Sequence, residues 1–394
     1  MPSATHPKPA PVIHSHVGLR GIAAMTVFLA HLGAYGIANV FNATIYERCF
    51  FWHDYAVDFF FLLSGFIMNW VYVANDTRIN WRSFYSARVA RIIPLYYLTQ
   101  LVALLILAFS MSKHHVSFTD EAYFIKLLTN FFMVSGILSG GEGTINQPAW
   151  SIGVEMFCYL AAFPLLVRLD RFLKAKKLRL LVALAIVGIA SHLEVTFYTH
   201  PDDYVLGSRQ WDCASLGRGL IGFTAGFFVC SLYHFYKEAR PAGLLIDGAL
   251  AVAVLFFIGT RLGMIPPDYV LYSLPFFLFL TAFDTGMMAR LLKTSFFRWL
   301  GERSYSIYLW QFPGSICYLY LANVLCLRQS LYAIHSGLAG MIHFMLAVGF
   351  VLGLAELSYS FFEIPLRKWI RSMGKVAKPG AKEWWDEPLH LPTP

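Results

Sequence analysis

Ten stretches of about twenty mostly apolar residues follow one another along the chain, and that recurrence limits the fold more than any single motif. They cover about 17–38, 55–74, 89–110, 149–167, 179–197, 214–236, 243–260, 269–288, 304–325 and 337–361. About 20 apolar residues is the length a helix needs to cross the hydrocarbon core of a bilayer. Backbone polar groups inside that core have to be satisfied within the protein, which a helix does along its own length. The expected fold class is therefore an all-α integral membrane protein with about ten transmembrane helices. Composition agrees. Charged residues make up 14% of the 394 positions, against about 25% in a soluble domain. With 35 Phe, 21 Tyr and 10 Trp, a disordered chain, a coiled coil and an ordinary soluble enzyme are all excluded.

The basic residues set an expected orientation. With both termini in the cytoplasm, 23 of the 31 Lys and Arg fall in cytoplasmic segments, six fall outside, and Arg20 and Arg218 lie within spans. This asymmetry is the positive-inside pattern, and it accounts for the net charge of +8 without nucleic acid as a partner. The stretch 120–138 is apolar but interrupted by Lys126 and Asn130. It reads as a helix lying at the interface or dipping into it, which keeps the span count even. Residues 1–16 read as a cytoplasmic segment, 17–371 as the transmembrane domain and 372–394 as a cytoplasmic tail. The first span lacks a small-residue cleavage site after a basic start and reads as an anchor. The six Cys show no CxxC pair, and no metal site is expected. Cys49 and Cys213 are the pair that outside loops would let meet.

Ionisable groups inside spans are costly and mark candidate functional positions. Arg20 and His31 in the first span are eleven residues apart. At 100° per residue they lie within about 20° of one face, separated by about 16 Å. In the fourth span Ser151 and Glu155 form an i, i+4 pair, and span arithmetic puts Glu155 and His31 about 8 and 9 Å below the outer surface. A His with a carboxylate at that depth suits a general base and its orienting partner. A structural ion pair is the plainer alternative. Asp58 and Arg218 enter at similar depth and suit one another as an ion pair. Arg88 and Arg91, one turn apart on the cytoplasmic side, suit phosphate, although cytoplasmic loops also collect Arg for topology alone. An anion site inside and a base near the outside, connected along one helix face, would fit a coenzyme A thioester.

At these residues the chain resembles the membrane acyltransferase-3 family. GLRGIAAMTVFLAH carries the Arg-x10-His pattern at Arg20 and His31, and AVDFFFLLSGFIMNW is similar to the second-span signature around Asp58, Ser64 and Gly65. ARVARIIPLYY resembles the Arg-x-x-Arg segment at Arg88 and Arg91, and PAWSIGVEMFCYL the Trp-Ser-x-x-x-Glu segment at Trp150, Ser151 and Glu155. LGRGLIGFTAGFF, around Arg218, and LGERSYSIYLWQFP resemble later segments.

The resemblance covers about 15–370 and implies an acyl-CoA-dependent O-acyltransferase. It would move an acyl group, acetyl for preference, from cytoplasmic acyl-CoA to a hydroxyl of an exopolysaccharide, O-antigen or lipid-linked oligosaccharide. His31 would be the base and Glu155 its support. Arg20, Arg88 and Arg91 would bind the donor, with Asp58, Trp150, Ser151 and Arg218 in supporting roles. Acyl-CoA would be a co-substrate, no cofactor would be permanently bound, and partners would be the glycan acceptor, the lipid bilayer and other glycan-assembly proteins. The implied location is a bacterial inner membrane, with multiple passes. Two departures stand out. Gln311 occupies a position where many relatives have His, and the chain ends about 30 residues after its last span. The latter suggests a form acting alone or passing acyl groups to a separate esterase-like partner. A macrolide, a lipid or a periplasmic glucan is the alternative acceptor. A solute or proton transporter is the non-enzymatic alternative.

Overall fold

A computed structural model describes residues 11–35, 37, 46, 53–73, 79–113, 121–138, 144–173, 175–199, 213–239, 241–266, 269–325 and 338–373. Among them the regular structure is helical: α1 (His14–Ala34), α2 (His53–Tyr72), α3 (Trp81–Lys113), α4 (Glu121–Phe131), α5 (Ser135–Leu138), α6 (Gln147–Phe172), α7 (Lys176–Thr199), α8 (Cys213–Tyr236), α9 (Gly243–Arg261), α10 (Val270–Thr281), α11 (Gly286–Leu292), α12 (Ser295–Val324) and α13 (Leu338–Ser358). A π-turn at Tyr359–Glu363 carries α13 into a last helix, α14 (Ile364–Met373). The protein is an all-α integral membrane protein. Cys49 lies outside the described residues.

Among the described residues, eight helices are long and apolar enough to cross a membrane. They correspond to eight of the ten expected runs. The other two runs take different forms for physical reasons. The eighth is broken. α10 and α11 meet at 86°, and the corner holds Asp284 at φ 56° and Gly286 at φ 93°, left-handed conformations that end a helix. The ninth lies within α12, a single helix of 30 residues and so about 45 Å long. It is less apolar because its surroundings are protein rather than lipid. Ser304, Ser306, Gln311 and Ser315 on it are all buried, and helices in a bilayer use such groups against one another.

Contacts set the helix directions. Arg20 meets Ser304 and His31 meets Gln311, so α1 and α12 run parallel. Asp58 meets Arg218 and Asn69 meets Ser231, so α2 and α8 are parallel. The Phe61–Trp150 and Ser64–Glu155 contacts make α2 and α6 parallel. The Arg303–Glu356 and Tyr318–His343 contacts make α12 and α13 antiparallel. These directions agree with the alternation expected from the sequence for α1, α2, α6, α8, α12 and α13.

Several helix pairs pack backbone against backbone. A Cβ on Gly65 would collide with the carbonyl of Phe223, and one on Gly226 with that of Leu62, so α2 and α8 touch at both points. The same is true of Gly301 of α12 against Val17 of α1. Small residues at such crossings give close van der Waals packing where no hydrophobic force acts between helices. The stretch 120–138 does not cross. α4 ends near Phe131, Met133 turns the chain at φ 59°, and α5 enters the bundle against α6. There the space beside Gly136 is filled by the Trp150 carbonyl and that beside Gly153 by the Met133 carbonyl.

Candidate active site

The close α2–α8 and α1–α12 crossings leave a cavity between α1, α2, α3, α6 and α12. Arg20, Arg88, Arg91, Ser64, Ser151 and Glu155 are among its lining residues. All but Ser64 are candidates from the sequence, and four separate helices supply them. His31, Asp58, Trp150 and Arg218 lie outside that lining.

Arg20 is held by α12. Its Nε donates to Ser304 Oγ at 2.7 Å and to the Gly301 carbonyl at 3.1 Å, and its Nη2 donates to the same carbonyl at 2.5 Å. Arg88 is 1% exposed. Its guanidinium lies 5.6–5.9 Å from the ring centroids of Tyr72, Phe84 and Tyr159, and its Nη2 donates to Tyr72 Oη at 3.3 Å. Each such ring contact is worth about 0.5–2 kcal/mol for a desolvated cation. Arg91, one turn on, is half-buried in the cavity wall.

Glu155 is the acid of this cavity. Its Oε1 accepts from Ser64 Oγ and from Tyr159 Oη, both at 2.5 Å. Tyr159 lies in a π-turn, Cys158–Ala162, that interrupts α6 directly after Glu155. Such turns are rare and cluster at functional sites. One turn from Glu155, Ser151 Oγ sits 2.8 Å from Tyr308 Oη and donates to the Pro148 carbonyl at 3.2 Å.

His31 is reached from this cavity along α12. Three residues beyond Tyr308, Gln311 Oε1 lies 3.2 Å from His31 Nδ1, which is also 2.9 Å from the Val27 carbonyl. A carbonyl only accepts, so Nδ1 carries the proton and Nε2 is the basic nitrogen. The ring stacks on Tyr35 at 5.9 Å. Glu155 and His31 are not in contact: Ser151, one turn from Glu155, meets Tyr308, and Gln311, nearly one turn further along α12, meets His31, an offset of about two helical turns. Span arithmetic puts them level. The difference arises because α6 starts two residues earlier than expected and α1 ends four residues earlier, which together shift the two apart by about 9 Å.

Asp58 and Arg218 form the ion pair that their depths suggested, with Nε–Oδ1 at 3.0 Å and Nη2–Oδ2 at 3.2 Å. Trp150 lies 5.6 Å from the Arg218 guanidinium. Several polar residues here were missed in the sequence. Glu194 on α7 is 2% exposed, and its Oε1 has no hydrogen-bond partner among the described residues. As the one acid in the fifth apolar run, it carries the same signal that singled out Glu155. Glu363 accepts from Ser306 Oγ at 2.8 Å and pairs with Arg367. Tyr159 was legible as the residue four after Glu155. Among the described residues no group of three or more His, Cys, Asp or Glu is placed to hold a metal ion.

A family described as an acyltransferase domain matches this chain over residues 17–355. The "Putative peptidoglycan O-acetyltransferase YrhL" of Bacillus subtilis (strain 168) is 23% identical over 374 residues, covering 89% of this chain and 54% of that protein. The O-acetyltransferase OatA of Staphylococcus aureus (strain NCTC 8325 / PS 47) is 23% identical over 372 residues, 89% of this chain and 56% of that one. The acyltransferase MdmB of Streptomyces mycarofaciens is 32% identical over 171 residues, 42% and 41% of the two chains. This chain spans about half the length of the first two. No solved structure matches it.

Proposed function

The chain belongs to the acyltransferase domain family, and from that premise we propose that it is a membrane O-acyltransferase using acyl-CoA. The acyl group is acetyl, as in the names of the relatives, and the acceptor is a hydroxyl of a bacterial surface glycan or its lipid-linked precursor. The enzyme works in the cytoplasmic membrane with both termini inside, beside the proteins that assemble the glycan. One observation carries this reading: a file of polar side chains that starts at three arginines, passes Glu155, and reaches His31 by way of Gln311.

The donor enters at the arginine end. Arg20, Arg88 and Arg91 provide the positive charge that attracts its phosphates and stabilises negative charge on the thioester oxygen. His31 Nε2 takes the proton of the acceptor hydroxyl. Gln311 and the Val27 carbonyl hold its tautomer, and Glu155 adds negative charge to the path. Asp58, Arg218 and Trp150 brace α2, α6 and α8 around this path.

The test is acetyl-CoA binding to purified protein, wild type against the Arg88→Ala, Arg91→Ala double variant. Saturable binding lost in the double variant supports the reading. Folded wild type that binds no acetyl-CoA refutes it.

A further inference from the structure

Six hydroxyl-bearing side chains line the cavity: Ser64, Ser151, Tyr159, Ser304, Tyr305 and Tyr308. Five are buried, and each is already engaged. Ser151 and Tyr308 bond one another, Ser304 accepts from Arg20, Tyr305 donates to the Ile92 carbonyl at 2.7 Å, and Tyr159 donates to Glu155. Ser64 alone is half-exposed to the cavity. A serine inside a membrane helix commonly turns its hydroxyl back to the carbonyl four residues earlier. Ser64 instead donates across the cavity to Glu155 Oε1 at 2.5 Å. Its position is rigid, because Gly65 next to it presses against the backbone of Phe223 and leaves α2 no room to slide on α8.

This is the arrangement of an activated nucleophile: a hydroxyl hydrogen-bonded to a carboxylate. Arg88 and Arg91 line the same cavity and supply positive charge for an oxyanion. We propose that Ser64 is a nucleophile that carries the acyl group between donor and acceptor. The inference rests on the acyl-CoA reading above and adds a covalent step to it.

The first half-reaction joins Ser64 Oγ to the thioester carbonyl carbon while Glu155 takes the hydroxyl proton. The C–S bond then breaks, and the thiolate leaves with that proton as the free thiol of coenzyme A. In the second half-reaction the acceptor oxygen attacks the Ser64 ester and, in place of the His31 step of direct transfer, gives its proton to Glu155. The Ser64 C–O bond breaks, and Ser64 Oγ takes that proton from Glu155. Acyl-CoA and an alcohol become coenzyme A and an O-acyl ester, and the enzyme is restored.

The experiment incubates purified full-length protein with radiolabelled acetyl-CoA and no acceptor. It measures both free coenzyme A and label that stays on the chain after denaturation, and peptide mass spectrometry maps the label. The expected result is one acetyl group on Ser64, formed together with one equivalent of coenzyme A. His31→Ala should keep the label, because the first half-reaction uses Ser64 and Glu155 and not His31. Ser64→Ala should lose it. Ser64→Cys, which preserves the packing, should shift it into a thioester cleaved by neutral hydroxylamine. Coenzyme A release without label on the chain, or undiminished transfer by Ser64→Ala, overturns the Ser64 step and leaves the acyl-CoA reading standing. Folded wild type that never releases coenzyme A, even with acceptor membranes added, overturns both.

Discussion

Asp58 and Arg218 offer a prediction that depends on the fold and not on the chemistry. The pair is bidentate, and Asp58 is 1% exposed. Breaking a buried pair by removing one partner costs about 3–5 kcal/mol, because the remaining charge stays buried. Asp58→Asn should nevertheless cost less than that, because a second carboxyl is at hand. Gly222 lies one turn beyond Arg218 on α8, and an added Cβ there would be 3.0 Å from Glu194 Oε1 and 3.5 Å from the Asp58 carbonyl. The Glu194 carboxyl therefore sits in the same pocket, and its Oε1 is without a hydrogen bond among the described residues.

When Asp58 is neutralised, Glu194 can take up the guanidinium and recover part of the loss. We expect Asp58→Asn to cost about 1–2 kcal/mol, Glu194→Gln under about 1, and the double variant the full 3–5, a coupling of about 1–3 kcal/mol. The assay is unfolding of the four proteins in one detergent by intrinsic tryptophan fluorescence, compared as a double-mutant cycle. A double variant no worse than the sum of the singles would show that Glu194 does not share Arg218, and the reasoning would fail.

Three further outcomes follow from the site. His31→Ala should lower acyl transfer about 100- to 10,000-fold, the usual weight of a general base, with the thermal midpoint little changed; retained transfer removes His31 from the chemistry. Gly65→Ala should destabilise the fold, because the new methyl would have to enter the Phe223 backbone; an unchanged midpoint in the same detergent would contradict the close α2–α8 crossing. Coenzyme A at 100 times its Kd should stabilise wild type against unfolding by about 2.7 kcal/mol. Phosphate-free pantetheine at the same concentration should give much less, and equal stabilisation by the two would count against an anion-attracting cavity.

Much of this molecule was legible in the sequence, for identifiable reasons. Apolar runs report lipid contact, so the eight helices that are apolar enough to cross were visible as such. α12 opens with Arg298, Glu302 and Arg303, so its apolar run starts 9 residues late, at 304 against an observed start of Ser295. The corner between α10 and α11 was hidden because Asp284 and Gly286 sit inside an otherwise apolar run. Arg20 and His31 were visible together since one helix repeats its face every eleven residues. Their relation to Glu155 was not, because depth along separate helices says nothing about direction around them. The bond between Ser64 and Glu155 joins residues 91 apart, and no local pattern encodes it. Glu194 is different: as a lone acid in an apolar run it is visible in the sequence alone.

The charges of the cavity bear on what it is built to receive. Its lining holds three arginines and one carboxylate, Glu155, while Glu363 nearby is paired with Arg367. Cations gathered away from water repel one another and are costly to desolvate. A fold under selection for stability alone would do better with apolar side chains of similar size, as replaced buried ion pairs in other proteins show. Here the arginines are retained and supported instead: Arg20 by the Gly301 carbonyl and Ser304, Arg88 by three aromatic rings. Support of that kind fixes each guanidinium in place, which preorganises the cavity for negative charge that arrives with a ligand or develops during a reaction. On this argument the excess positive charge is itself a functional feature. It matches a donor that is anionic at one end and forms an oxyanion at the other, and it explains why the neutral hydroxyls and amides of Ser151, Tyr308 and Gln311, rather than further charges, continue the file towards His31.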